Sequence, residues 1–421
     1  MLATICALGM WTYANRVLIP HQIHYAAEHG IPRGNFSDLY PRWYGSRELL
    51  LHGRDPYSAE ITHEIQQRFY GRPLDPDGPG NRNYQQGFYY PVYVAFGLAP
   101  TIHLPFEKVR VGFFWLMVGL TVVTVPLWPR ILHWPVSLPI QVSLILFTLG
   151  SLPAMQGLKL DQITLLVVPL LAIALFLLAK DRQISAGILL ALTTIKPQLV
   201  FLLLVWLAIW TLADCRRRYR LMASFLVSMV ILCAASEWYL PHWIPLFLRA
   251  LYEYRHYTGE ISVLDTLIGV PWSKAIEIAA FALTMWAGWT ARRERPDADA
   301  FASILSLVLA STVLLVPTYG PYNQVLLLPA IIVLLKNREL VWRSGVVGRA
   351  LGVITALLIV WPWISSVALA ILSFALPPLQ VEAGWTLPFW TTLQIPLSVV
   401  ALMLVYLYPT TFTAPIRAGS S

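Results

Sequence analysis

Charge is scarce in this chain. Only 12% of its 421 residues are Asp, Glu, Lys or Arg, where a soluble domain carries about a quarter. That shortage excludes a water-facing shell around most of the molecule. Alternating apolar–polar segments of about ten residues are absent too, which excludes a membrane β-barrel. The three cysteines, Cys6, Cys215 and Cys233, lie in apolar segments or beside a basic loop. They have no metal-ligand spacing, and no disulfide is expected. The chain has neither a phosphate-loop lysine motif nor a dinucleotide fingerprint, which argues against nucleotide-driven pumping. No Asp-x-Asp pair stands in a metal-binding context.

Apolar residues fill the space that charge leaves, at 57% of the chain, with a mean hydropathy of +0.61. Runs of about 18 or more recur, enough to cross a hydrocarbon layer of roughly 30 Å. The fold class expected is an all-α polytopic membrane protein, one integral-membrane domain over residues 1–421 with about 11–13 transmembrane helices. Met1–Leu18 is apolar with no Lys or Arg before it and no small-residue cleavage pattern after it, so it reads as an uncleaved first span. Later spans are expected near 91–104, 109–127, 137–153, 162–179, 184–195 with 198–213, 221–240, 274–290, 300–316, 322–335, 350–370 and 389–408. Short loops rich in Lys and Arg, at 180–182, 216–220, 292–295 and 336–349, read as cytoplasmic and orient the rest. The formal net charge of +8 then belongs to the membrane's inner face and not to nucleic-acid binding. The 17 Trp and 19 Tyr suit interfacial belts and a polar cavity.

Two places strain this scheme. Residues 184–213 must leave and return within a length short for two full spans. Pro197 breaks the middle, so two half-depth helices are expected to meet at Lys196-Pro197-Gln198 over a polar cavity. Upstream the parity is wrong by one, so either 91–104 or 137–153 does not cross.

The first outside loop, residues 20–90, is long. Phe36, Leu39, Tyr40, Trp43, Leu50 and Leu51 recur near helical spacing before Gly53 and Pro56, which predicts an amphipathic interfacial helix. A second short helix is expected from Ser58, burying Ile61, Ile65 and Phe69 before Gly71. Residues 72–87 read as a mobile loop. Just ahead of the first helix stands Asp38. A carboxylate at the mouth of a helix bundle can take a proton from an incoming hydroxyl. Its plainer role would be a surface pair with Arg42 one turn later, worth a few tenths of a kcal/mol.

These residues resemble glycosyltransferase family 87, the polyprenyl-phosphate-mannose-dependent members of the GT-C superfamily. The resemblance rests on Asp38, the helix after it, Gly53-Arg54-Asp55-Pro56-Tyr57, Tyr89-Tyr90-Pro91 and Lys196-Pro197, in that order over roughly the first half of the chain. The later half is similar only in hydropathy. One departure lies at Gln156-Gly157-Leu158-Lys159-Leu160-Asp161-Gln162, where the family would show Gly with Asn or Gln. The resemblance implies an inverting transfer at the extracytoplasmic face of the cytoplasmic membrane. A sugar, most often mannose and in some relatives arabinose, would move from a polyprenyl-phosphate donor to a lipid-linked or cell-envelope glycan acceptor. Asp38 would be the general base. A carboxylate with a pKa near 3.9 cannot ionise a sugar hydroxyl in advance, so proton transfer must accompany bond formation and position outweighs basicity.

The departing lipid phosphate gains charge and needs fixed cations or donors. Lys196, beside a helix break among apolar helices, is the first candidate, with snorkelling to the interface as its bland alternative. Gln198, Arg255 and His256 follow. Arg54, Tyr57, Tyr90, His242 and Tyr254 are candidates for substrate contact. The last two lie in a second large outside segment, 241–272, dense in aromatics, which would otherwise be an interfacial belt. Asp55 reads as a turn former before Pro56. Lys159 and Asp161 could pair with each other at the outer face or form part of the acceptor site, and Tyr319, Tyr322 and Asn323 could line the cavity. A donor with a single phosphate has less need of a divalent ion, so no cofactor or metal is expected. The other readings are a polysaccharide polymerase or ligase, and a lipid-linked sugar transporter or flippase; the second should show matched broken helices.

Overall fold

A computed structural model describes residues 1–29, 37–75, 86–258, 262–317 and 319–411, leaving aside the side chains of 256–258 and 409–411. The protein is an all-α polytopic membrane protein. Its helices in chain order are α1 Leu2–Glu28, α2 Leu39–His52, α3 Ala59–Tyr70 and α4 Val94–Leu98. They continue with α5 Phe106–Ile131, α6 Leu138–Leu149, α7 Leu152–Lys159, α8 Thr164–Ala179, α9 Gln183–Thr193 and α10 Phe201–Ala213. The second half holds α11 Cys215–Tyr239, α12 Trp243–Thr258, α13 Val263–Ile268, α14 Trp272–Thr290 and α15 Asp299–Leu315. It ends with α16 Pro321–Lys336, α17 Gly345–Leu372 and α18 Gln394–Thr411, with the short helices Arg338–Arg343 just before α17 and Pro378–Glu382 after it.

Among the described residues, five helical stretches are long and apolar enough to cross a membrane, and a sixth if the bent pair α6–α7 is one span. Shorter apolar helices, α8, α9, α10, α15 and α16, fill the bundle between them. α15 is buried almost throughout, from Phe301 to Leu314, and forms its central post.

The structure settles the parity problem. Residues 91–104 hold only α4 and the 3-10 turn Ala99–Thr101, eight residues reaching about 12–14 Å, well short of a bilayer core. α6 and α7 instead meet at a 56° bend. With 91–104 removed from the count, the ends of the helices sort into two faces. On one, Lys336 donates to the Leu132 carbonyl at 2.9 Å and His133 lies 3.2 Å from Asp299. There too Arg218 donates to the carbonyls of Arg292, Arg293 and Glu294, so the basic loops stand together. On the other, the Asp38 N–H meets the Leu160 carbonyl at 2.9 Å, Tyr93 bonds Thr194 at 3.0 Å and His24 bonds Glu382 at 2.9 Å.

The broken segment forms as expected: α9, a 3-10 turn at Pro197–Leu199, then α10. Eleven and thirteen residues give about 17 and 20 Å, each too short to cross alone. α9 lies against α11 with almost no gap. A Cβ on Gly187 would sit 2.1 Å from the Ser224 hydroxyl and 2.5 Å from the Leu221 carbonyl, so only glycine allows that approach.

Two expectations for the first loop need correction. The first helix does not end near Leu18 but runs on through a π-helical turn at Ala14–Leu18 to Glu28. α2 is not a one-faced interfacial helix. Leu39, Trp43 and Leu49 are buried, and so are Ser46 and Glu48, because α3, α4 and α5 enclose it. Its end is as expected: Gly53 takes a left-handed φ of 65°, and its N–H and that of Arg54 satisfy the carbonyls of Leu49 and Glu48. α3 starts at Ser58, whose hydroxyl accepts from the Ile61 N–H, and buries Ile61, Ile65 and Phe69. Phe36 and much of 72–87 lie outside the described residues. The 241–272 segment is largely helical, α12 and α13, and α12 packs back on the first loop through Phe247 against Tyr57 and on the segment after it through Trp243 against Tyr93.

Candidate active site

Six chain segments meet around Asp38. The residue ends the loop before α2, half-buried, pinned by its N–H to Leu160 at the end of α7. Its carboxylate accepts a short hydrogen bond from the Gln162 side-chain amide. The Gln162 carbonyl oxygen faces Lys196 Nζ at 3.5 Å. Lys196, 4% exposed, also donates to Thr164 Oγ1 at 2.6 Å, lies 3.4 Å from Asn323 Oδ1 and sits 4.7 Å above the Tyr322 ring. Thr164 in turn donates to Asn323 at 3.0 Å. An acid and a buried cation are therefore joined through one amide.

The local sequence explains this arrangement. The α7–α8 junction leaves Asp161 at a left-handed φ of 51°, which a short polar side chain tolerates, and so turns Gln162 inward. The α9–α10 break frees backbone from the helical ladder and drives Lys196 into the bundle. Taking its charge out of water is offset by three polar oxygens and an aromatic face.

Arg42 is the second cation. It makes no ion pair with Asp38; its Nη2 donates to the Tyr90 hydroxyl at 3.3 Å and its guanidinium stacks 4.5 Å from the Tyr90 ring. Its buried Nε has no partner. A buried guanidinium N–H left open is unusual and asks for an acceptor. Tyr254 packs on Tyr89, with ring centroids 4.6 Å apart, and lies within electrostatic range of Asp38, Arg42 and Tyr90. Burial pushes the Asp38 carboxyl above the usual carboxylate range, although Arg42, Lys196, the Gln162 amide and Lys159 pull the other way.

The structure thus gathers Asp38, Lys196, Tyr90 and Tyr254, and Tyr322 and Asn323 with them. Tyr57 stands one layer behind: its hydroxyl donates to the Tyr90 carbonyl at 2.6 Å and fixes that residue. Asp55 is a turn former, accepting from the Tyr57 N–H at 2.9 Å. Arg54 is at the far end of α2, about 20 Å along the helix, bound by Glu48, Glu60 and Glu64 at 2.7–2.9 Å. Gln198 is exposed in the middle of the 3-10 turn, and His242 and Arg255 are exposed at the two ends of α12. His256's side chain lies outside the described residues. Lys159 and Asp161 are not a mutual pair: Lys159 donates to Gln22 at 2.5 Å and Asp161 holds Arg110 at 3.2 Å.

Sequence reading missed Gln162 and Arg42 as members of the site. Gln162 was visible only as part of a departure from the family pattern. Arg42 was visible only as a helical neighbour of Asp38, at a spacing that suggested a surface pair.

No curated protein and no solved structure matches the chain. The family model for glycosyltransferase family 87 matches residues 88–317, more than half of the sequence and including Tyr90, Gln162, Lys196 and Tyr254. The chain belongs to glycosyltransferase family 87.

Proposed function

We propose that this glycosyltransferase moves a sugar, mannose first among the candidates, from a polyprenyl-phosphate donor to a glycan or glycolipid acceptor on the extracytoplasmic side of the cytoplasmic membrane. The observation that carries the reading is the Asp38–Gln162–Lys196 chain, with the open Nε of Arg42 one turn from the acid. In the reaction the acceptor hydroxyl oxygen bonds to the anomeric carbon as the bond from that carbon to the phosphate oxygen breaks. The hydroxyl proton passes to Asp38. The electron pair leaves with the phosphate, whose growing charge Lys196 and Arg42 meet with groups already in place. Gln162 donates its N–H to Asp38 and so keeps the carboxylate aimed.

The sidedness rests on charge. Every basic short loop is on the face opposite Asp38, and such loops stay in the cytoplasm. A polyprenyl tail would reach the site through lipid, past the apolar helices. A donor with one phosphate leaves little for a divalent ion to bridge, so activity should persist in a chelator.

The test uses purified full-length protein and Asp38→Ala with a radiolabelled polyprenyl-phosphate sugar and membrane lipid extract. Label entering a new product with the unaltered chain alone supports the transfer. Label crossing a liposome wall with no new product would support transport instead; that arm matters because α6–α7 is a second broken helix beside α9–α10. Comparing mannose with arabinose donors in the same assay decides the sugar.

A further inference from the structure

A charged cleft lies on the face opposite Asp38. It has a volume of about 930 Å³ and is built where the 179–185, 214–220 and 293–297 segments converge. Seven arginines line it, facing three aspartates. Arg218 assembles it: buried, stacked 3.8 Å from the Trp210 ring, it donates to the carbonyls of Trp210, Arg292, Arg293 and Glu294 at 2.5–3.2 Å. One side chain thus holds two basic loops edge to edge. Arg295 is answered by Asp297 at 2.8 Å and Arg217 loosely by Asp214 at 3.9 Å. Arg182, Arg216, Arg220 and Arg293 have no carboxylate within 4 Å among the described residues, and all four are exposed. Gathering like charges around a concavity costs free energy unless an anion occupies it.

From this cleft an apolar stripe rises along the lipid-facing side of α9. Ile184, itself a cleft residue, Ile188 and Leu192 are 55, 44 and 38% exposed at a spacing that aligns them on one helix face. Arginine forks suit phosphate oxygens, and the stripe suits an acyl chain joined to the same phosphate. A soluble anion would use the first and leave the second unexplained.

We propose that this cleft is a binding site for an anionic phospholipid, its phosphate headgroup among Arg182, Arg216, Arg220 and Arg293 and an acyl chain along Ile184, Ile188 and Leu192. The site is separate from the Asp38 cluster, and its test is independent of the transfer reaction.

Detergent-purified full-length protein is titrated with phosphatidylglycerol and with phosphatidylcholine and read by native mass spectrometry. The unaltered chain should retain phosphatidylglycerol in preference. R216Q/R220Q/R293Q should weaken that retention roughly 100-fold, at about 1 kcal/mol for each arginine, while R216K/R220K/R293K keeps most of it. Glycerol 3-phosphate should fail to displace the lipid. Equal retention by the glutamine variant would overturn the proposal, and so would full displacement by glycerol 3-phosphate, which would make the cleft a reader of free phosphate. A photoreactive phosphatidylglycerol on the unaltered chain needs no variant to fold. Adducts on α9 and the start of α11 support the site, and adducts confined to other helices refute it.

Discussion

At the residue scale, the proposed transfer turns on what surrounds one carboxylate. Asp38→Asn keeps the hydrogen bond from Gln162 in reach but removes the proton acceptor. Turnover should fall about 10²–10⁴-fold with the thermal midpoint nearly unchanged; turnover within a factor of three of the unaltered chain would remove Asp38 from the chemistry. Burial raises the Asp38 pKa, so the carboxylate is protonated, and inactive as a base, up to a higher pH than an exposed Asp. The acid limb of kcat/KM should therefore lie above the ordinary value near 4. Arg42 pulls that pKa down. Arg42→Gln should move the limb to higher pH and raise the donor KM, and an unmoved limb would show that Arg42 does not act on the acid. Lys196→Ala should raise the apparent donor KM and lower kcat. Asp38 and Lys196 were both legible as candidates, because an acid after a first span and a lysine beside a proline break are costly placements. Their connection was not. It runs through Gln162, which is 124 positions from Asp38, and spacing cannot reveal a contact made by tertiary packing.

At the scale of helices, the interruptions carry the function. The α9–α10 break brings Lys196 to the cluster, and the α7–α8 turn brings Gln162. The first was readable from Lys196-Pro197; the second was hidden because Asp161, not glycine, holds the left-handed position. The amphipathic reading of α2 failed for a related reason. Its polar Glu48 is buried yet satisfied by His52 and Arg54 at 3.1 and 2.9 Å, so polarity did not mark a solvent face. The same triad occupies Arg54 and keeps it from the site. Where helices touch closely, the prediction is mechanical. Gly187→Leu must push α9 from Ser224 and the Leu221 carbonyl, at about 1–3 kcal/mol. A lowered melting temperature in detergent checks it, and the lysine-bearing turn should shift with it, so turnover should fall as well. Arg218→Met leaves up to four carbonyls without their donor. It should cost roughly 2–4 kcal/mol, read in the same melt.

At the scale of the whole molecule, hydropathy and the basic loops gave the class, the order of the spans and the two faces. They could not decide between 91–104 and 137–153, since a short apolar stretch reads alike whether it crosses or stops. The family likeness has a similar shape. The block from Asp38 to Tyr57 suggested the family, yet the matched region begins at residue 88, so the two lines of argument rest on different parts of the chain and meet at Tyr90 and Lys196. The molecule then has two cationic places on opposite faces: a small buried one beside an acid, and an open cleft where seven arginines outnumber three aspartates. The donor phosphate belongs, in the proposed reaction, to the first. The most direct measurement is an electron cryomicroscopy map of the full-length protein in nanodiscs with a non-hydrolysable polyprenyl-phosphate sugar. The account predicts the phosphate within hydrogen-bond reach of Arg42 and Lys196, with the anomeric carbon on the Asp38 side. Donor phosphate in the arginine cleft, or a sugar remote from Asp38, would contradict it.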